Sequence, residues 1–307
     1  MSWNNREDKI QIFNDTMERC RNDARLRYAV QKSLAVQRVY PEEEAIERAA
    51  DGAINGNGTK VTGTIDGAVY EQDARIVVSK KRSLEAAGAY AKDQKVCVLN
   101  FASATNPGGG VKKGSSAQEE CLCRCSTLYP CISDGTVRGR FHDRHRVMIS
   151  NGELDALYND DCIYTPGVVV FKTDTSMPQL IPESEWNTVD VITCAAPNLR
   201  AKPSNAMNPE AGCQAVRIHD PELKKLHEKR ANRILDIAKA NGDEVVILGA
   251  FGCGAFQNPA PIVAVGIFEA VKRHRRDFRT IEFAVFCSPK DTANYDAFRK
   301  QFHECSM

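Results

Sequence analysis

The sequence has almost no excess of charge of either sign. Lysine and arginine number 41 and aspartate and glutamate 40, a formal net charge of +1. A chain so balanced has no overall field with which to hold a polyanion, which excludes a bulk nucleic-acid binder; an anion must be caught by local groups. Long hydrophobic runs are also missing. The longest, such as Gly167–Phe171 and Val245–Phe251, are far too short to cross a bilayer. The first residues, MSWNNREDKIQIF, lack the apolar core of a secretion signal, so a cytoplasmic protein with no membrane contact is expected. There is no internal repeat and no low-complexity tract. Cysteine is not scarce, at twelve in 307 residues. Several (Cys97, Cys194, Cys287) lie in or at the end of apolar strand-like segments, where a thiol packs as a small hydrophobe. A reducing compartment without a disulfide framework is expected.

The periodicity changes along the chain. Over residues 5–50 apolar side chains recur at helical steps, first Ile10, Phe13 and Met17, then Leu26, Ala29, Val30 and Leu34. Pro41 followed by Glu42, Glu43 and Glu44 predicts the acidic first turn of a further helix to about Ala50. A Gly/Asn-rich turn, Asp51–Gly58, follows. Beyond it, strands are expected at Lys60–Ile65, Ala74–Val78, Lys95–Phe101, Cys162–Phe171, Val189–Cys194, Glu244–Ala250 and Thr280–Phe286. Helices are expected at Leu84–Ala91, Leu223–Ala240, Pro261–Arg273 and Tyr295–His303. Alternation of this kind predicts a layered α/β domain with a parallel or mixed sheet. The expected boundary lies near residue 58, with helices over 1–58 and the sheet domain over 59–307.

Two segments carry the chemistry. In Val96–Glu120 a buried strand runs through Asn106-Pro107 into Gly108, Gly109 and Gly110. Three consecutive glycines are entropically costly unless backbone must turn with positive φ or approach something closely. Ser116-x-x-Glu119 then fits a capping box, predicting a helix start at Ser116 or Ala117. In Val245–Asn258 a second buried strand runs into Gly249, Gly252 and Gly254 before a helix. Glycine loops at the carboxyl ends of strands can present several backbone N–H groups to one anion, and two such loops suggest a diphosphate. Neither loop fits a P-loop, and Gly252-x-Gly254 lacks the third glycine of a dinucleotide fingerprint, Gln257 standing in its place.

Taken together, the triglycine, seven intervening residues and Gln118-Glu119-Glu120, flanked by NFASATNPGGG and followed by LGAFGCGAFQN, resemble the poly(ADP-ribose) glycohydrolases of the microbial type. The resemblance runs from about Lys95 to the C-terminus. It implies a macrodomain-like three-layer α/β/α fold with a mixed sheet, a helical N-terminal accessory region, and ADP-ribose in a cleft at the strand ends. It implies hydrolysis of poly(ADP-ribose), from chain ends, with ADP-ribose as product and with neither metal nor cofactor. By the same resemblance Glu120 is the catalytic acid and Glu119 bonds a ribose hydroxyl. Gln118 helps to place the loop, Asn106 contacts ribose, and Gly108–Gly110 line the terminal ribose and its phosphate. Gly252, Cys253, Gly254 and Ala255 wrap the diphosphate, and Phe256 packs near the adenosine. The competing readings are a mono(ADP-ribosyl) hydrolase acting on ADP-ribosylated protein or nucleotide adducts, a non-catalytic ADP-ribose reader, and a phosphatase of ADP-ribose 1″-phosphate. A reader or phosphatase has no need of the carboxylates of Gln118-Glu119-Glu120, those of Glu119 and Glu120.

Other residues receive plainer readings. Cys121, Cys123, Cys125 and Cys131 have poor spacing for a tetrahedral zinc site and are expected as small buried residues. His142 and His145, among Arg138, Arg140, Arg144 and Arg146, read as a solvated basic loop, with a weaker reading as a contact for polymer phosphates. Trp186 and Tyr164 read as sheet-packing aromatics, and Lys224–Arg233 as the wet face of a helix.

Overall fold

The computed structural model describes residues 5–46 and 67–303. Two helices come first, α1 (Asn5–Asn22) and α2 (Ala24–Val36), the second capped by Asp23, whose carboxylate accepts from the amides of Arg25 and Leu26. Then follow β1 (Arg38–Tyr40), β2 (Arg75–Ser79), α3 (Ser83–Gly88), β3 (Val96–Phe101) and α4 (Gln118–Cys125). Three short helices, α5 (Leu128–Ile132), α6 (Gly135–Arg138) and α7 (Arg144–Ser150), lead to the long antiparallel hairpin partners β4 (Cys162–Val170) and β5 (Asn187–Cys194). The chain closes with α8 (Asp220–Ala240), β6 (Val245–Leu248), α9 (Ala260–Arg273), β7 (Thr280–Ala284) and α10 (Ala293–His303).

The seven strands form one mixed sheet in the order β1-β4-β5-β3-β6-β7-β2. β1, β4 and β5 pair antiparallel, whereas β5, β3, β6, β7 and β2 pair parallel. The period of two along each strand divides two cores. Cys97, Leu99, Val246 and Leu248 face α8, α9 and α10, while Val96, Val98, Val245 and Ile247 face the side of α3, α4 and α5, a core that also takes Phe13 from α1. Both faces of β3 and β6 are therefore buried, which is why those strands read as unbroken apolar runs. The expected three layers are present.

The N-terminal region departs from expectation. Arg38–Tyr40 is not a helix end but an edge strand of the sheet, registered on Cys162–Tyr164. Residues 42–46 turn rather than wind into a helix. Their carboxylates are drawn into ion pairs, Glu42 to Lys229, Glu43 to Arg144 and Glu44 to Arg38, and these outweigh the local preference for a helical first turn. The expected strand Lys60–Ile65 and the boundary near 58 lie outside the described residues.

The parallel strands β3, β5, β6 and β7 all end at one edge of the sheet. Four connections start there, 102–117, 195–219, 249–259 and 285–292, and the candidate site is built among them.

Candidate active site

A cavity of about 850 Å³ opens at this edge, and each of the four connections contributes a wall, through Ser103 and Gly109, Ala196 and Asn208, Gly252 and Phe256, and Val285 and Phe286. Glu119 and Glu120 line its floor. A smaller cavity of about 490 Å³ lies at the ends of α8 and α9. Its Asp277 is paired with Lys239 and His274, at 2.9 Å each, and its Asp236 stands 3.7 Å from the same histidine.

Helix α4 begins one residue later than the capping-box pattern indicates. Its N-cap is Ala117, no side chain caps it, and Glu119 is not spent on a cap. The Glu119 carboxylate reaches across to the first glycine loop instead. Oε2 accepts from the Ser103 amide at 2.8 Å, and Oε1 from the Gly108 amide at 3.2 Å and Asn100 Nδ2 at 3.3 Å. These non-local donors outcompete the single amide of a capping box. Glu120 Oε1 accepts from the Gly110 amide at 2.9 Å, and its Oε2 has no protein partner. Neighbours on a helix splay about 100° apart, and the triglycine threads between the two carboxylates. Gly109 has φ +55, and a Cβ there would stand 2.6 Å from Glu120 Oε1 and 3.2 Å from Glu119 Oε2. Only glycine leaves room for both acids to close on that loop.

The start of a helix favours an ionised carboxylate, whereas burial favours the acid. Both glutamates are almost fully buried, and burial wins. It raises the Glu119 pKa to about 8, with the neighbouring Glu120 as the next cause. It also raises Glu120 above the usual carboxylate value, against the opposing hydrogen bond from Gly110 and the positive field of Arg124. Folded Glu119 thus keeps a proton that the unfolded chain releases. The stabilisation this confers is complete below the ordinary value of 4.5 and is lost as pH rises through about 8. Glu119→Gln, neutral throughout, is expected to flatten the fall in Tm between those two pH values. Its amide group would face N–H donors and lower the absolute Tm, so the slope measured by scanning calorimetry is the readout. A slope equal to that of the unmodified protein would mean that Glu119 is ionised in the fold.

The remaining predicted residues divide. Gln118 lines the cavity and ties α4 to β3, its Nε2 donating to Leu99 O (2.7 Å) and Ser83 Oγ (3.0 Å) while Oε1 accepts from the Phe101 amide (2.9 Å). Gly109, Gly110, Gly252, Gly254, Ala255 and Phe256 also line it. Asn106, Gly108 and Cys253 do not. Asn106 donates its side-chain amide to Gly109 O and so braces the loop from behind, Gly108 serves Glu119, and the Cys253 thiol turns toward Phe251 O.

Sequence reasoning missed the outer wall. Asn205–Asn208 come from the long connection after β5, which carries no periodicity. Ser103 donates its hydroxyl to Asn208, and Lys113 its ammonium to Ala206 O. It also missed Arg124, buried behind Glu120, which donates to Ser115 O at 2.6 Å, while Thr16 of α1 donates to Arg124 O at 2.6 Å. No local pattern signals contacts such as Ser103–Asn208, Lys113–Ala206 and Thr16–Arg124, which are 105, 93 and 108 residues apart.

Two plainer readings are corrected. His142 and His145 are not in a solvated loop but fully buried in the helical stretch 139–150. The His145 ring lies between Ala104 O (3.1 Å) and Asn159 Oδ1 (2.7 Å), with Asp161 at 3.0 Å. Three of the four arginines beside them pair with acids, Arg138 and Arg146 with Asp143 and Arg144 with Asp161, while Arg140 is exposed as expected. Within 224–233 the expected wet face is interrupted by His227, Arg230 and Ala231, all buried; Arg230 bonds Asp160 Oδ1 at 2.7 Å and Ala195 O at 2.8 Å. The four cysteines after Glu120 are buried as expected. Tyr164 is buried in β4, and Trp186 packs on Phe171 with ring centroids 6.0 Å apart.

Fold and site together define a macrodomain-like α/β protein with two glycine loops and a pair of buried acids at the ligand edge of the sheet. The family model for the microbial-type PARG catalytic domain matches residues 7–173, more than half of the chain, and the protein belongs to that family. The chain is similar to the crystal structure of poly(ADP-ribose) glycohydrolase from Thermomonospora curvata bound to the inhibitor ADP-HPD, at 27% identity and a TM-score of 0.72, covering 97% of this chain and 100% of that one. It is also similar to poly(ADP-ribose) glycohydrolase from Deinococcus radiodurans in complex with ADP-ribose, at 26% identity and a TM-score of 0.67, covering 91% and 98%. No curated protein matches. Among the described residues no helix is long and apolar enough to cross a membrane.

Proposed function

We propose that this protein is a poly(ADP-ribose) glycohydrolase that cleaves the ribose–ribose O-glycosidic bond and releases ADP-ribose, with Glu120 as acid and then base. The observation that carries the reading is Glu120 itself. One of its oxygens is held by the Gly110 amide and the other is free of protein partners, on the floor of a cavity walled by two glycine loops. Cleavage passes through an oxocarbenium-like state at the anomeric carbon. Protonated Glu120 gives its proton to the departing ribose oxygen as the C–O bond breaks. Water then adds to the anomeric carbon and returns a proton to the carboxylate. Its raised pKa suits a group that must hold a proton near neutrality.

Glu119 orients the sugar through a ribose hydroxyl while buttressing the triglycine loop. Gly109 and Gly110 face the terminal ribose and its phosphate, and Gly252, Gly254 and Ala255 offer backbone amides to the pyrophosphate. Phe256, whose ring centroid lies 6.2 Å from that of Tyr158, supplies an apolar wall. A reducing, cytoplasmic setting belongs to the same proposal, in which the buried cysteines pack as small apolar side chains.

The deciding experiment incubates the purified protein separately with poly(ADP-ribose) and with mono-ADP-ribosylated protein and measures released ADP-ribose. Release from polymer, with the protein-linked unit left in place, is the expected result. Release only from the mono-modified protein would make it a mono(ADP-ribosyl) hydrolase, and binding without release from either would make it a reader.

A further inference from the structure

Asn258 closes the second glycine segment, and its side chain is buried. Its Nδ2 lies 2.7 Å from Pro197 O and 3.1 Å from Gly252 O, with Phe256 O at 3.4 Å. Every neighbour on that side is an acceptor, so the nitrogen must be there and Oδ1 must face the other way. There it meets Nε2 of His227, 2.9 Å away on α8 and equally buried. An amide oxygen needs a donor, so His227 carries its proton on Nε2. Its Nδ1 is buried with no protein partner, a place for a bare nitrogen and not for an N–H. Burial accordingly lowers the His227 pKa to about 4 and keeps the ring neutral.

The amide joins two walls of the cleft. Pro197 follows Ala196, which lines the cavity after β5, and Gly252 and Phe256 line it after β6. The fit has no slack. At Gly252, φ +78, a Cβ would stand 2.7 Å from both the Ala196 Cβ and Asn258 Nδ2. We infer that Asn258, oriented by the Nε2–H of His227, is a positioning residue that sets the separation of these walls and so aims the amides of Gly252, Gly254 and Ala255 at the substrate. The inference rests on the reading of the cleft as an ADP-ribose site. Neither residue touches the reacting atoms, so the effect falls on binding common to substrate and product.

The test compares His227→Gln, His227→Phe and Asn258→Asp with the unmodified protein. It measures ADP-ribose affinity by calorimetry, kcat and KM on polymer, Tm, and amide hydrogen exchange over 250–258. Glutamine can place an N–H near the position of the histidine Nε2, and its variant should keep the ADP-ribose Kd within about threefold. Phenylalanine fills the space but leaves Oδ1 without a donor. Its Kd and KM should rise about tenfold or more, the size expected for an unsatisfied buried polar group, with kcat within about threefold, the pattern of lost uniform binding. Exchange over 250–258 should accelerate in the phenylalanine variant and not in the glutamine one. Asn258→Asp, which turns a carboxylate oxygen toward carbonyls, should weaken binding further.

Unmodified affinity in folded His227→Phe, or equal losses in the glutamine and phenylalanine variants, would overturn the inference and leave His227 as packing alone. Should Asn258→Asp fail to fold, the His227 pair decides. If the unmodified protein does not bind ADP-ribose, the reading of the cleft fails, while the exchange contrast still tests the hold of Asn258 on its loop.

Discussion

Replacing Glu120 by glutamine is expected to lower kcat on poly(ADP-ribose) by about 10²–10⁴-fold, the usual contribution of a positioned general acid, and to leave ADP-ribose affinity near its unmodified value. Glutamine is close to isosteric and its Oε1 can still accept from the Gly110 amide, a bond that holds the present side chain at 2.9 Å. The loop therefore keeps its place. What is lost is the proton on the second oxygen, and an amide N–H cannot be surrendered to a leaving alkoxide. Steady-state kinetics on polymer, with calorimetric titration of ADP-ribose, separates the two effects. Near-normal turnover by the variant would remove Glu120 from the chemistry. Loss of binding alongside turnover would instead make it a structural support of the triglycine loop.

The second large effect is expected at Gly109. Its φ of +55 is disfavoured for any residue with a Cβ, at about 1–2 kcal/mol, so Gly109→Ala should fold with a modest loss of stability. Activity should suffer far more. The new methyl would lie 2.6 Å from Glu120 Oε1, and the softest response is for the carboxylate to swing away. A displacement of about 1 Å at a reacting group can cost about 10²-fold in rate, and a loss of at least that size is expected in kcat, measured beside Tm. A variant with full activity would show that the acid need not sit against the triglycine.

The strands facing both cores are legible because a buried parallel strand must be apolar along its whole length, as Val96–Leu99 and Val245–Leu248 are. The triglycine and the acids after it are legible because glycine is kept where nothing else fits. Errors arose where a local preference met a distant partner. The Glu42–Glu44 run favours a helical first turn, yet Lys229, Arg144 and Arg38 pull its carboxylates apart. His142 and His145 lie among arginines, a composition typical of wet loops, yet the helical stretch turns both rings inward and lays Arg138, Arg144 and Arg146 onto acids. Ser116 and Glu119 spell a capping box, but three N–H donors on Asn100, Ser103 and Gly108 claim the carboxylate.

What the sequence determined alone was the alternation of strand and helix, the two glycine loops and the presence of adjacent acids, all features set by neighbours within a few residues. The tertiary structure decided which acid keeps a free oxygen, that burial raises the pKa of both, and which distant side chains lock the cleft, among them Arg124, Asn208, His227 and Asn258. Burial and hydrogen-bond partnership depend on groups brought together by folding from 31 to 108 residues apart, and no local pattern encodes them.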